Sequence, residues 1–138
     1  MRVKLAVILG ILGILIIVAA VGWYMYNKPH EGVAGVPADV QLTAHDLYDD
    51  FQKDENLANK KYLNKVVEVT GKVSDVQNVN GSYIILLSST SDMGGVSCQL
   101  MKDESNKAKS VKKTDSLTIK GKCSGYLMDV NLVDCVLR

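Results

Sequence analysis

Residues 65–88 read KVVEVTGKVSDVQNVNGSYIILLS, and this stretch decides the fold. Val67, Val69, Gly71 and Val73 alternate with Glu68, Thr70 and Lys72. A period of two puts one row on each face of a half-buried strand. Gly71 inside that strand suggests a bend or bulge, a device that lets one strand serve two parts of a curved sheet. Asn80-Gly81 is the dipeptide of a two-residue hairpin turn, and Ser82 to Ser88 follows as the second strand.

Working outward, Gly95 to Met101 (GVSCQLM) reads as a third strand, with Val96, Cys98 and Leu100 on one face. Asp103 to Lys113 (DESNKAKSVKK) is polar and helix-compatible, and a short helix is expected there. Ser116 to Cys123 (SLTIKGKC) alternates again, placing Leu117, Ile119, Gly121 and Cys123 together and Lys120 and Lys122 outward. Val130 to Leu137 (VNLVDCVL) is the fifth strand. Upstream, Thr43 to Tyr62 reads as one amphipathic helix, with Thr43 as N-cap, Asp46 in capping-box position, and Leu47, Phe51, Ala58 and Tyr62 as its apolar stripe. A helix, three strands, a short helical connection and two more strands match the OB-fold, a five-stranded Greek-key barrel. An open meander or a small sandwich has the same strand count.

Ahead of this domain, Leu5 to Tyr26 contains no charged residue. A bilayer core needs about 20 apolar residues in a helix to cross it, so the stretch is read as a transmembrane anchor. The apolar core of a cleaved signal peptide is usually only ~7–15 residues long, and Ala19-Ala20-Val21 is a poor cleavage site. Arg2 and Lys4 precede the span, which keeps residues 1–4 cytoplasmic and the following domain extracytoplasmic. Trp23, Tyr24 and Tyr26 favour the headgroup region at its far end. Gly10 and Gly13 lack the four-residue spacing of the close-packing helix motif. Residues 27–41 (NKPHEGVAGVPADVQ) hold both prolines and read as a flexible linker, leaving 42–138 as the barrel domain.

Residues 27–138 carry 14 Lys and Arg against 15 Asp and Glu, with Arg138 the one arginine. Such a balance does not call for a nucleic-acid partner, whose binders concentrate basic residues on one face. Cys98, Cys123 and Cys135 are read as structural cysteines, with one disulfide and one free thiol expected after export and three pairings open. No C-x-x-C pair occurs, and His30 and His45 are the two imidazoles, so no metal site is expected. Gly71-Lys72-Val73-Ser74 lacks the first glycine of a phosphate loop and lies within a strand. No nucleophile, base and orienting group assemble in the sequence, so neither enzyme activity nor a cofactor is expected.

Leu47-Tyr48, Phe51, Asn59 to Tyr62 (NKKY), Lys65-Val66 and Val69 to Val73 (VTGKV) together resemble bacterial exported OB-fold proteins of the tRNA-anticodon-binding-like (tRNA_anti-like) family. Val96-Ser97-Cys98, Gly121 to Gly125 (GKCSG) and Val130 to Cys135 (VNLVDC) extend the likeness over residues 43–137. The resemblance implies an OB-fold and brings no catalytic set. Many relatives look like lipoproteins, whereas this chain has no cysteine near the end of its apolar stretch to accept a lipid. The expected role is a non-catalytic, membrane-anchored module that binds or scaffolds an envelope protein or a small ligand. Single-stranded nucleic-acid or polyanion binding is the alternative, since OB-folds bind single strands by a basic groove and stacking aromatics. The residues set out for a ligand face are Lys72, Tyr83, Lys120 and Tyr126.

Overall fold

Val67, Val69 and Val73 turn inward and are fully buried, as the two-residue period requires. The computed structural model describes residues 1–27, 32–90 and 94–138, and of residues 2–6 the backbone. The chain divides into two units, Met1–Glu31 and Gly32–Arg138.

The first unit is helix α1, Arg2–Asn27. Within it Val7–Asn27 has a mean hydropathy of 2.6, and its side chains lie exposed. At 1.5 Å rise per residue such a stretch spans about 30 Å, the thickness of a bilayer core. A helix apolar all round is matched to lipid or to a protein interior, not to water.

The second unit contains strands β1 (Val40–Thr43), β2 (Val66–Val79), β3 (Ser82–Ser88), β4 (Gly95–Leu100), β5 (Ser116–Tyr126) and β6 (Val130–Leu137). Helices α2 (Ala44–Lys53) and α3 (Glu55–Tyr62) precede β2, and α4 (Ser105–Ala108) follows β4 behind a 3-10 turn at Lys102–Glu104. The sheet runs β2-β3-β4-β6-β5, and β5 pairs back onto β2. That closure makes it an OB barrel and excludes the open meander and the sandwich. β4 and β6 are parallel and the other barrel pairs antiparallel. The long β2 serves two partners: Val66–Lys72 pair with β5 and Val73–Val79 with β3.

The hairpin turn is as read, with Asn80 at φ 53° and Gly81 at φ 84°, the left-handed pair of a type I′ turn. The bulge is displaced from the expected Gly71 to between Val73 and Asp75. Gly71 does something else: a Cβ there would lie 2.8 Å from Ala44 Cβ. Its bare backbone is what lets the start of α2 sit on β2.

The single helix expected over 43–62 is two. Thr43 caps α2, its Oγ1 accepting from Asp46 N at 3.1 Å. Asp54, at φ −157°, ends α2 and caps α3 through Oδ1, which accepts from Leu57 N at 3.0 Å. In a continuous helix, residues 50 and 62 would lie about 18 Å apart. The break folds α3 back, so that Tyr62 Oη donates to Asp50 Oδ2 at 2.6 Å and its ring lies 6.0 Å from that of Phe51. Leu47, Tyr48 and Phe51 enter the core with Ile85, Leu87, Ile119 and Leu132, and α2 plugs one end of the barrel.

Two further expectations are corrected. Residues 28–31 of the expected linker lie outside the described residues, but residues 32–41 are built into the domain. Val40 and Gln41 belong to β1, which pairs parallel with β2 at Val67–Thr70 on the edge that β3 leaves open. Val33–Gly35 forms a 3-10 turn with Val33 buried. This strap covers Lys120, expected outward and solvated, which is 0% exposed. Lys120 Nζ donates to Ala34 O at 3.1 Å and Val36 O at 2.6 Å. Its cross-strand neighbour Glu68 meets Arg138 at 3.7 Å instead. A buried ammonium is costly unless hydrogen-bonded, so the two carbonyls hold the strap and the charge together. Lys120→Met should therefore speed amide exchange at Val36 and Asp39 by about tenfold or more, because hydrogen bonds to a charged donor contribute ~1.5–3 kcal/mol. Exchange at Val69 and Ile119 should stay slow.

Candidate ligand-binding wall and the buried thiols

Each strand of the barrel shows one row to the core and one to solvent. On β3, Ile85 and Leu87 are buried, so Ile84, Leu86 and Ser88 form its outer row. On β4, Val96, Cys98 and Leu100 point in and Ser97 and Gln99 point out. Register aligns these into two cross-strand rows: Gln77, Ile84 and Gln99, then Asp75, Leu86, Ser97 and Asn131. The outer wall of β3 and β4 is thus two half-buried aliphatic side chains set among amides and a hydroxyl. Its one charged member, Asp75, pairs with Lys113 at 2.8 Å, and this contact, ahead of a hydrogen bond from Gln77, lowers the Asp75 pKa. The wall offers no exposed lysine and no exposed ring.

The four residues set out from sequence do not come together. Lys72 is exposed where β2 leaves β5, opposite Ser116. Tyr83 pairs with Asn78 near the far end of β2, half-buried against the core. Six residues of strand, about 20 Å, separate the two positions. Tyr126 lies at the other end of the barrel, past the start of β2. Its ring stacks on Phe51 at 5.6 Å and meets Tyr48 edge-on at 6.0 Å, while Gln52 Nε2 donates to its hydroxyl at 3.2 Å. Burial, then the contact with Tyr48, raises its pKa. Tyr126 closes the barrel around α2 rather than offering a face to a base, and Lys120 holds the strap. Ile84, Leu86, Ser97 and Gln99 were not singled out from sequence, because an outward aliphatic residue in the run SYIILLS carries no chemical signature. Their alternation with Ile85 and Leu87 was the available signal.

A second concavity, an open groove between α2 and α3, is lined by Asp50, Lys53, Asp54, Leu57, Ala58 and Lys61. Lys61 Nζ reaches Asp50 Oδ2 at 2.8 Å; this bond and the one from Tyr62 lower the Asp50 pKa. The groove's charges neutralise one another. Among the described residues no three His, Cys, Asp or Glu side chains gather as a metal site, and His45 is exposed.

The cysteines correct another expectation: Cys98, Cys123 and Cys135 are all free thiols, each 0% exposed, and none is paired. A hydrogen-bonding contact with Cys98, then burial, pushes the Cys135 thiol well up. Burial also raises Cys123. Shut away from water, the three thiols pack as small apolar groups.

With the closed barrel and its plug established, the match to a family is informative: the profile of the tRNA_anti-like family covers residues 1–137. The chain belongs to the tRNA_anti-like family. The membership indicates a binding OB-fold domain and points to no catalytic family. No curated protein matches the chain. Among solved structures, this tRNA_anti-like chain is similar to a candidate nucleic acid-binding lipoprotein from Klebsiella pneumoniae, with 19% identity and a TM-score of 0.60 over 74% of this chain and 98% of that one. It is also similar to a candidate aspartyl-tRNA synthetase from Leishmania major, with 11% identity and a TM-score of 0.50 over 83% of this chain and 24% of that one. At these identities the likeness is one of fold.

In the native tRNA_anti-like domain, a water-soluble maleimide should add to none of the three cysteines. In denaturant without reductant, intact mass should show three additions; one addition would mean that two of them are joined.

Proposed function

We propose that this chain is a membrane-anchored, non-catalytic binding module, and that the outer wall of β3 and β4 is its ligand surface. α1 is the anchor, Arg2 and Lys4 hold the N-terminus in the cytoplasm, and the barrel faces the extracytoplasmic side as a scaffold for an envelope protein or a small uncharged ligand. The observation that carries this reading is the composition of the wall. Ile84 and Leu86 supply apolar contact, while Gln77, Gln99, Ser97 and Asn131 supply neutral donors and acceptors. Ligand sites combine an apolar base with a few convergent polar groups. Strands two and three of an OB barrel are where that fold binds its ligands. Anchoring raises the effective concentration of the module for any partner in the same membrane without adding a contact.

One observation favours the alternative, polyanion or single-stranded nucleic-acid binding. Where β2 leaves β5, exposed Lys72 shares a corner with Lys112 and Lys113: Lys112 N donates to Asp115 Oδ2 at 2.9 Å, and Val73 N donates to Asp115 O at 2.8 Å. Lys113 is occupied by Asp75, which leaves few charges for a phosphate backbone. No ring stacks there.

The two readings separate in one titration of the full chain in detergent with a fluorescent single-stranded oligonucleotide. We expect affinity no tighter than about 100 µM at low salt, the weak end of non-specific phosphate binding. Affinity near 1 µM that falls steeply with salt and is lost in Lys72→Glu would establish the polyanion reading instead.

A further inference from the structure

Hairpin tips are usually made of Gly, Asn, Asp or Pro, which supply the backbone angles and face water. The β5–β6 tip instead carries Leu127 and Met128, 84% and 77% exposed. The tip is braced. Leu127 N donates to Asp129 O at 3.2 Å, Asp129 Oδ1 accepts from Gly95 N at 2.8 Å, and Asn131 Nδ2 donates to Asp129 O at 3.2 Å. Just below it, Tyr126 is stacked on Phe51. The two side chains are therefore held out in water by a rigid base. Leu63, 38% exposed, sits at the same end: Asn64 N donates to Cys123 O at 2.8 Å, which lays the α3–β2 turn beside the last residues of β5.

Isolated exposed leucines need no explanation. Two adjacent large apolar residues at the summit of a braced hairpin, with a third beside them, do. The chain itself names the apolar phase within reach. α1 is long and apolar enough to cross a bilayer, and anchored domains meet that bilayer at high effective concentration. We propose that the Leu127–Met128 tip, flanked by Leu63, inserts into the interfacial layer of the membrane in which α1 is anchored. This rests on the reading of α1 as a retained anchor. The charges near the tip are of both signs, exposed Lys65 against Asp129, so the attraction is apolar and insensitive to salt. A patch this small gives only shallow, reversible insertion on its own. On a tethered domain that suffices to choose which face of the barrel meets lipid.

The test uses the full chain in phosphatidylcholine vesicles, with Trp23→Phe and Leu127→Trp combined so that position 127 carries the only tryptophan. Brominated lipids should quench its emission by about half and shift the emission to the blue, as for other shallowly buried interfacial residues. Met128→Trp should behave the same way, and 1 M salt should change neither. Unquenched, water-like emission at 127 and 128, while Trp23 of the unsubstituted chain is quenched, would overturn the proposal and leave the anchor standing. A blue shift without quenching would overturn it too, assigning the tip to a protein contact such as a second copy. Absence of quenching at Trp23 would remove the anchor, and the proposal with it.

Discussion

The closure of β5 onto β2 is the constraint on which the rest of this domain depends. A 14-residue strand cannot pair along its whole length with one neighbour in a barrel this small, so β2 curves, and a bulge between Val73 and Asp75 marks the change of partner. Closure gives each of the five strands two neighbours, and the one stretch of edge it leaves, Val67–Thr70 of β2, is covered by β1. It also leaves an open end wide enough for a helix, and α2 fills it with Leu47, Tyr48 and Phe51. The plug needs close approach, granted by the missing Cβ of Gly71, and a turn back, granted by Asp54.

Closure also sorts the side chains by function. Once one row of each strand is committed to the core, the outer rows are the part of the strands on which the barrel can differ from other barrels. On β5 that row is partly spent on structure, since Lys120 is buried under residues 33–36. On β3 and β4 it stays open and nearly uncharged. The apolar helix, the strap and the wall thus belong to different parts of the chain: α1 is long and apolar enough to cross a membrane, the strap completes the fold, and the wall is left open to solvent.

Much of this was legible in the residues. The alternation in 65–88 and the Asn80-Gly81 turn placed β2 and β3, and SYIILLS and VNLVDCVL matched their strands end to end. The strand order identified the barrel, and the family resemblance agreed with it. What could not be read was set by tertiary contact. Ala58 and Tyr62 continue the helical spacing of Leu47 and Phe51, so periodicity joined two helices that only the backbone at Asp54 separates. Val33 to Gln41 has loop composition, yet the barrel orders it because Lys120 needs partners and β2 has a vacant edge. Lys72, Tyr83, Lys120 and Tyr126 were chosen for their chemistry, which says nothing about whether they share a surface. The cysteines looked like a disulfide framework because of the expected compartment, whereas a closed core accommodates thiols as small apolar groups.

The central claim, that the nearly uncharged wall of β3 and β4 is the ligand surface, is tested most directly by a photo-crosslinking amino acid placed in the full chain in its native membrane. One position is Leu86, on that wall; the other is Lys122, exposed on β5. The account predicts a discrete adduct of defined mass from position 86 and none from position 122. An adduct from 122 alone would contradict it and move the ligand surface to the other side of the barrel.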